Sequence, residues 1–212
     1  MLIFFDLDST LCNLEWCDWL ATRQWVGKHV AQLTKETMEW TRSFDEVFIS
    51  KTQLISPSRE DLADLGNEYI RTVMPWIAQY IGEFKKAGHT VGIISQWYRD
   101  AAGIVATHLK IHEHDVHALV FDHAPDGAYI WFPEQALKYE NGKAVTLREI
   151  KKRFPEEKIV FVGDSVGDML AGQQADLFIW CWFHVIRERV QKEAKHYITT
   201  IEELKNILDV QI

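Results

Sequence analysis

The first ten residues constrain the fold of this chain more than any other stretch. The apolar run at residues 2–5, LIFF, has the character of a buried β-strand and leads directly into Asp6-Leu7-Asp8-Ser9-Thr10. Successive side chains of a strand point to opposite faces, so Asp6 and Asp8 are expected on one side of its carboxyl end. Open α/β sheets bind their ligands at that edge, which makes the acidic pair a candidate site.

Two carboxylates held this close repel each other unless a cation lies between them or they share a proton. The pair therefore indicates a hard metal ion such as Mg²⁺, or a raised pKa on one partner. The alternative interpretation is a turn, in which Asp8 and Ser9 cap the segment that follows. We favour the site, because an aspartate-rich turn rarely follows so apolar a start.

Residues 13–73 have apolar side chains at helical spacing and contain no convincing strand. Thr34 is expected to cap a helix that continues through Arg42. Two further helices should begin at capping boxes, one led by Ser43 and one led by Ser58. These patterns predict a helical cap at 13–73, inserted after the first strand of a core formed by residues 1–12 and 74–212.

The rest of the chain alternates strands with helices. Strands are predicted near 90–95, 158–162, 177–180 and 197–198, and helices near 76–87, 99–109, 143–154 and 169–174. A further helix is expected between the last two strands, and a final helix should be capped by Thr200. Such alternation predicts an α/β fold with a doubly wound parallel sheet.

Residues 116–136 are expected to form a β-hairpin insertion. The apolar runs at 118–121 and 128–132 flank Asp126-Gly127, and this dipeptide between two apolar runs is a strong hairpin signal.

Polar residues stand where several predicted strands or helices end or begin, namely Ser95, Lys143, Asp164 and Asp168. Each alone has an ordinary explanation: a helix cap for serine, a solvated surface side chain for lysine, a turn for aspartate. Their order along the chain instead indicates one shared site. Phosphoryl transfer requires a nucleophile, a metal and cationic or donor groups around the phosphate oxygens. Together with Asp6 and Asp8, this set offers a nucleophile, carboxylate ligands for a metal, and donor groups for the phosphate.

With these motifs in order, the chain resembles the haloacid dehalogenase superfamily, and within it the phosphoserine phosphatase-like branch. The resemblance implies that Asp6 is the nucleophile and that Asp8 is the general acid and base, with its backbone carbonyl on Mg²⁺. It also implies that Asp6 and Asp164 bind Mg²⁺ directly and that Asp168 supports the metal from the outer shell.

The resemblance also implies which residues bind the phosphate group and the rest of the substrate. Ser95, Gln96 and Lys143 are expected to bind the phosphate group. Glu15 and Lys51 would contact the amino and carboxylate groups of O-phosphoserine, the leading candidate substrate. Lysine lacks the planar fork with which the branch's arginine pairs with a carboxylate.

Two other departures from the branch bear on the substrate. Trp97 stands where the family has glycine, and Gly167 replaces the usual asparagine. A methionine-salvage ketone phosphate phosphatase, or another small-metabolite phosphatase, is therefore the alternative.

A phospho-receiver signalling domain is the alternative from another functional class. It also combines Mg²⁺, an acidic pair and an aspartyl-phosphate on a doubly wound sheet. Its acceptor aspartate should end the third strand, whereas the strand from Thr90 ends in Ser95. Nor does that plan have a place for the helical insert.

Composition limits the partners and the location. A net charge of −8 argues against a nucleic-acid partner, and no apolar run reaches the ~18 residues of a membrane span. Three cysteines without metal-like spacing, and a start that lacks a signal-peptide pattern, predict a cytoplasmic protein. The expected partner is a small phosphate ester. The loose group of His112, His114, His117 and His123 is interpreted as a solvated loop.

Overall fold

The computed structural model describes residues 1–38, 41–74, 76–183 and 195–211. Its strands are β1 Leu2–Phe5, β2 Thr90–Tyr98, β3 Val116–Leu119, β4 Asp122–His123, β5 Tyr129–Trp131, β6 Ile159–Gly163, β7 Leu177–Cys181 and β8 Tyr197–Ile198. Its α-helices are α1 Trp16–Arg23, α2 Gly27–Met38, α3 Phe44–Ile55, α4 Arg59–Thr72, α5 Ile77–Lys86, α6 Arg99–His108, α7 Gly142–Arg153, α8 Val166–Gly172 and α9 Ile201–Gln211. Short 3-10 helices occupy Glu113–Asp115 and Ala136–Lys138.

Six strands form one parallel sheet in the order β3-β2-β1-β6-β7-β8. Strands β1 and β6 are buried along their whole length, as expected of a parallel sheet covered by helices on both faces. The strand order reverses at β1, so the carboxyl end of β1 lies at the topological switch point, where such sheets bind ligands. The predicted α/β fold with a doubly wound parallel sheet is confirmed.

The helices α1–α4 form one excursion from the sheet. The chain leaves through Cys12, which pairs antiparallel with Val73, and the Asn13 N–H donates to the Thr72 carbonyl oxygen at 3.1 Å. The two ends of the excursion are therefore adjacent. Within it, α4 packs along α6 of the main body.

The helix starts of this segment were predicted with mixed success. Both capping boxes form, with Ser43 and Ser58 accepting the N–H of the residue three positions on. The predicted cap at Thr34 is wrong, because Thr34 lies inside α2. Its hydroxyl donates to the Val30 carbonyl oxygen at 3.0 Å, a bond made within a helix that is already under way.

Two strand predictions need correction. Strand β2 does not end at Ser95 but continues to Tyr98, where it still pairs with β3. The first half of the predicted hairpin strand at 118–121 belongs to β3, which is an edge strand of the main sheet. The hairpin is smaller, formed by β4 and β5, and its turn does contain Gly127 with a φ of +88°.

The carboxyl-terminal part agrees with the prediction where it is described. Strand β8 extends the sheet next to β7, and the hydroxyl of Thr200 accepts the N–H of Glu203 at 3.3 Å. The helix predicted before β8 falls mainly on residues 184–194, outside the described part. None of the helices in the described ranges has the length and apolar character that crossing a membrane requires.

Candidate active site

The carboxyl end of β1 delivers Asp6 to the centre of a buried ionic cluster. The Asp6 N–H donates to the Val162 carbonyl oxygen of β6 at 2.9 Å, which continues the sheet pairing to this residue. The ammonium of Lys143, from the first turn of α7, lies 2.8 Å from Asp6 Oδ1 and 2.6 Å from Asp168 Oδ1. All three side chains are almost fully buried.

Carboxylates outnumber the lysine in this cluster. Oxygens of Asp6, Asp164 and Asp168 all lie within 4.8 Å of one another. If all three carboxylates carried a negative charge, the single ammonium would leave two excess negative charges out of contact with bulk water. Among the described residues, no hydrogen bond of ordinary geometry reaches Asp6 Oδ1, despite the nearby ammonium. A buried all-oxygen donor set with excess negative charge suits a hard divalent cation such as Mg²⁺.

The pKa shifts of Asp6 and Lys143 reflect the same excess of carboxylates over cations. Burial raises the pKa of Asp6 well above its ordinary value, the charge of Asp168 raises it further, and Lys143 only partly opposes them. Burial alone would lower the pKa of Lys143, but the carboxylates of Asp168 and Asp6 outweigh it and raise this pKa above its ordinary value. Lys143 is therefore a cation at neutral pH, and an ionised Asp6 requires further positive charge nearby.

Asp168 is held by the start of α8. Its Oδ2 accepts the Ser165 N–H at 3.0 Å and the Ser165 hydroxyl at 2.6 Å, while Lys143 contacts its other oxygen. Strand β6 ends beside it at Gly163, where a Cβ atom would lie 2.5 Å from the Asp168 Cγ. A glycine is therefore required here for close approach.

Thr10 belongs to this site, although the sequence analysis gave it no role. Residues 7–12 form a tight turn in which the N–H groups of Leu11 and Cys12 both donate to the Leu7 carbonyl oxygen. The turn brings the Thr10 hydroxyl to 3.2 Å from Asp164 Oδ1. The one available signal was its place in the same polar run as Asp6 and Asp8.

Asp8 lies in a separate buried environment, facing the helical segment. Its Oδ2 accepts the Trp16 N–H at 3.0 Å, and its Oδ1 accepts the hydroxyl of Tyr69 from α4. Burial raises the pKa of Asp8 well above its ordinary value and the charge of Glu15 adds to this, against the two hydrogen bonds. Sequence reasoning missed Tyr69, because nothing in the sequence links it to a residue 61 positions away.

Ser95 and Gln96 lie next to each other in β2 and have different partners. Ser95 is fully buried, and its hydroxyl oxygen accepts the Trp97 N–H at 3.3 Å. The Gln96 amide donates to the carbonyl oxygens of Leu137 and Tyr139, at 3.2 and 2.6 Å. A phosphate contact from Gln96 would therefore have to come from its backbone N–H, since its side chain holds the loop before α7.

The three predicted substrate residues lie on different elements. Glu15 is exposed just before α1, where its Oε1 accepts the Ser9 hydroxyl at 2.7 Å. Lys51 is half-buried on α3, close enough to Cys17 for its charge to oppose the burial that raises the pKa of that thiol to about 12. Trp97 is half-buried in an aromatic cluster, with its ring centroid 4.8 Å from Trp16 and 5.8 Å from Phe48.

The four histidines do not form a ligand group with one another or with nearby carboxylates. In the ranges described, the cluster of Asp6, Asp164 and Asp168 is the one group of three or more ligand-type side chains close enough to share a metal ion. The interpretation as a solvated loop is wrong for two of them, because His117 lies half-buried in β3 and His123 half-buried in β4. Burial lowers the pKa of His117 to about 4, while His112 and His114 are exposed and stack their rings.

Comparison with known proteins identifies the family. The family model for haloacid dehalogenase-like hydrolases matches residues 3–173. Phosphoserine phosphatase of Bos taurus is 32% identical over 208 residues, which cover 98% of this chain and 92% of the bovine protein. Phosphoserine phosphatase of Methanocaldococcus jannaschii is 28% identical over 197 residues, or 89% of each chain.

Solved structures agree with the sequence relatives. A structure described as a phospho-aspartyl intermediate analogue of phosphoserine phosphatase matches with a TM-score of 0.77 and 26% identity, over 97% of both chains. A phosphoserine phosphohydrolase-like protein from Francisella tularensis shares the fold, with a TM-score of 0.81 at 20% identity over 97% of this chain and 98% of its own. These findings do not support the phospho-receiver alternative, and the chain belongs to the haloacid dehalogenase-like hydrolases as a phosphatase of the phosphoserine phosphatase-like branch.

Proposed function

We propose that this phosphatase is a Mg²⁺-dependent phosphomonoesterase that works through an aspartyl-phosphate on Asp6, with O-phosphoserine as its substrate. The observation that carries the proposal is the buried cluster in which Asp6 contacts Lys143 beside Asp164 and Asp168. The relatives named phosphoserine phosphatase support the choice of substrate.

The reaction divides into two displacements at phosphorus. In the first, an Asp6 oxygen attacks and the P–O bond to the alcohol breaks, while Asp8 gives its proton to the leaving oxygen. In the second, Asp8 takes a proton from water, the water oxygen attacks phosphorus, and the bond to Asp6 breaks. Phosphate leaves, and Asp6 and Asp8 return to their starting states.

The cation and the phosphate have separate groups of partners in this proposal. The carboxylates of Asp6 and Asp164, with the Asp8 carbonyl, would hold Mg²⁺, while Asp168 acts from the outer shell. When bound, Mg²⁺ offsets the negative charge that gathers between the nucleophile and the phosphate oxygens. Lys143 adds a second positive charge, and the Ser95 hydroxyl can donate to a phosphate oxygen.

Substrate selection is assigned to residues 13–73 as a cap over the core of residues 1–12 and 74–212. Glu15 can attract the ammonium of O-phosphoserine and Lys51 its carboxylate, since their charges are opposite to those of the groups they would contact. Trp97 favours a flatter, less polar leaving group, because it stands in an aromatic cluster next to Ser95. This aromatic surface is the specific support for a ketone phosphate as the second candidate.

The expected setting is a reducing compartment, the cytoplasm, with a small phosphate ester as the partner. All three cysteines are buried free thiols, which is consistent with that setting.

A substrate screen tests the proposal. The purified protein is incubated with O-phosphoserine, a ketose phosphate and an aryl phosphate, with Mg²⁺ or with EDTA, and released phosphate is measured. O-phosphoserine should be hydrolysed most efficiently, with activity lost in EDTA and regained on adding Mg²⁺. Acid quench followed by mass spectrometry should find the phosphoryl group on the peptide that contains Asp6. Full activity in EDTA would contradict metal dependence, and preference for a ketose phosphate would favour the second candidate.

A further inference from the structure

Tyr69 is a fully buried tyrosine that joins the helical segment to Asp8. It lies in the last turn of α4, and its hydroxyl donates to Asp8 Oδ1. The other oxygen of the same carboxyl group accepts the Trp16 N–H at 3.0 Å. Both donors thus come from residues of the helical segment, while the carboxyl group they hold comes from the loop after β1.

Resting on the proposed function, we propose that Tyr69 is a positioning residue for proton transfer, which holds the Asp8 carboxyl group in the orientation that serves the leaving oxygen. A phenol is neutral at ordinary pH and donates through its one hydroxyl hydrogen. With one donor on each oxygen, rotation of the carboxyl group is restrained. Each oxygen still keeps a lone pair for exchange with the leaving group or with water.

The surroundings of Tyr69 make it a firm support. Helix α4 packs along α6, and just beyond Tyr69 the chain is fastened to Cys12 and Asn13 where the helical segment begins and ends. Tyr69 therefore lies at the base of the segment, close to the sheet. Proton transfer between heavy atoms depends strongly on their distance and alignment. A firmly held Tyr69 hydroxyl therefore keeps the Asp8 carboxyl group in the position that proton transfer requires.

The hydrogen bond also serves the charge that develops on Asp8. When the proton passes to the leaving oxygen, Asp8 becomes an anion in a buried place. A hydrogen bond to a charged acceptor is stronger than one to a neutral acceptor, so the phenol favours the state of Asp8 that follows proton transfer. The benefit should therefore be greatest for esters whose leaving group needs a full proton.

The test compares two esters of similar shape within each enzyme variant. Phenyl phosphate has a poor leaving group that needs the proton, whereas 4-nitrophenyl phosphate has a good one that needs it much less. We expect Tyr69→Phe to lower kcat/KM for phenyl phosphate about tenfold while changing kcat/KM for 4-nitrophenyl phosphate less than about twofold. The comparison uses kcat/KM because this constant covers the steps through the first displacement and excludes hydrolysis of the aspartyl-phosphate, which both esters share. The ratio of the two rates is independent of the fraction of active enzyme.

Two reference variants make the result decisive. Tyr98→Phe removes another fully buried tyrosine hydroxyl, from β2, and should leave the ratio unchanged. Asp8→Asn removes the acid itself and should change the ratio more than Tyr69→Phe does. If Asp8→Asn leaves the ratio unchanged, the proposed role of Asp8 fails, and with it this inference.

If Asp8→Asn changes the ratio and Tyr69→Phe does not, only the role of Tyr69 is overturned. Equal losses on both esters in Tyr69→Phe would also overturn it, since they would indicate a structural effect. The role of Tyr69 would also be overturned if thermal unfolding measurements showed that Tyr69→Phe does not fold while Tyr98→Phe does. In that case the hydroxyl would be needed for folding and not for orientation.

Discussion

The edge of the sheet and the helical segment above it hold their polar residues in different ways. At the edge, Asp6, Lys143 and Asp168 are almost fully buried, and the Lys143 ammonium lies within 2.8 Å of both carboxylates. In the helical segment, Glu15 is exposed and Lys51 is half-buried on another helix. The first set is placed by backbone pairing and helix starts, whereas the second depends on how helices pack.

This difference separates chemistry from selection. A buried ionic group tolerates few substitutions, because loss of one partner leaves the others without compensation. An exposed charge can be replaced at little cost to folding. Changes at the sheet edge should therefore abolish turnover of every ester, while changes in the helical segment should alter the preference among esters.

The strongest test of the sheet edge is Asp6→Asn. The amide keeps the shape of the side chain but cannot act as an anionic nucleophile, so turnover should fall by about three orders of magnitude or more on all esters. Phosphate release at saturating substrate is the measurement. Asp100→Asn on the exposed face of α6 serves as the control and should retain activity. Retention of more than about a tenth of wild-type turnover by Asp6→Asn would remove Asp6 from its assigned role.

A smaller loss is expected from Gly163→Ala, which removes no charged group. The added Cβ would lie 2.5 Å from the Asp168 Cγ, so Asp168 must shift, which disturbs its contact with Lys143. We expect kcat to fall by about ten- to a hundredfold on all esters, with a higher Mg²⁺ requirement.

The matched control for Gly163→Ala is Gly103→Ala in α6, where the added Cβ meets no atom within 4 Å. That change should leave kcat unaltered and stabilise the fold by about 0.4–1 kcal/mol. Equal activity of the two alanine variants would show that the exact position of Asp168 is not critical for turnover. The conclusion that the sheet edge tolerates few substitutions would then be contradicted.

Lys51→Ala probes the helical segment. Removal of this charge should raise KM for O-phosphoserine by about threefold to tenfold and leave kcat for a neutral aryl phosphate unchanged. Lys86→Ala at the end of α5 provides the control for loss of one positive charge. An unaltered preference between the two kinds of ester would place recognition of the carboxylate on another residue.

The smallest effect is expected from Gln96→Leu, which lies between the two regions. Loss of the bonds to Leu137 and Tyr139 would loosen the loop that leads into α7 and so the position of Lys143. We expect kcat/KM to fall about threefold to fivefold on all esters, since one or two neutral hydrogen bonds are lost.

Gln135→Leu is the control for Gln96→Leu. The Gln135 amide also holds backbone carbonyl oxygens, but those of Val120 and Pro133, which lie farther along the chain from Lys143 than Leu137 and Tyr139 do. If Gln135→Leu reduces kcat/KM as much as Gln96→Leu, the effect belongs to loop stability in general.

How much of the site could be predicted depends on how each residue is positioned. Asp6 and Asp164 follow buried apolar strands, and strand order was enough to bring them to one edge. Strand periodicity predicted Asp8 on the same side as Asp6, but Asp8 lies in the turn after β1 and its carboxyl group faces the helical segment. Lys143 required the resemblance as well, because nothing in its neighbourhood distinguishes it from a surface lysine.

Contacts made by packing were outside the reach of sequence patterns. The hydroxyl of Tyr69 reaches Asp8 because α4 folds back beside the loop after β1. In the sequence, Tyr69 is recognisable only as one of the apolar positions of its helix. Strand β2 likewise continues past Ser95 because β3 lies beside it and pairs with Tyr98. Neither neighbour can be inferred from local periodicity.

The pairing of Cys12 with Val73 has a consequence for how enzymes of this kind can change. Because the ends of the helical segment meet, the entropic cost of closing it as a loop grows only with the logarithm of its length. The stability of the sheet therefore depends little on which residues lie between these ends. A different set of helices could be grafted between α1 and α4 while Trp16 and Tyr69 still hold Asp8. New substrate preferences can thus arise by exchange of a module, without rebuilding the reaction centre.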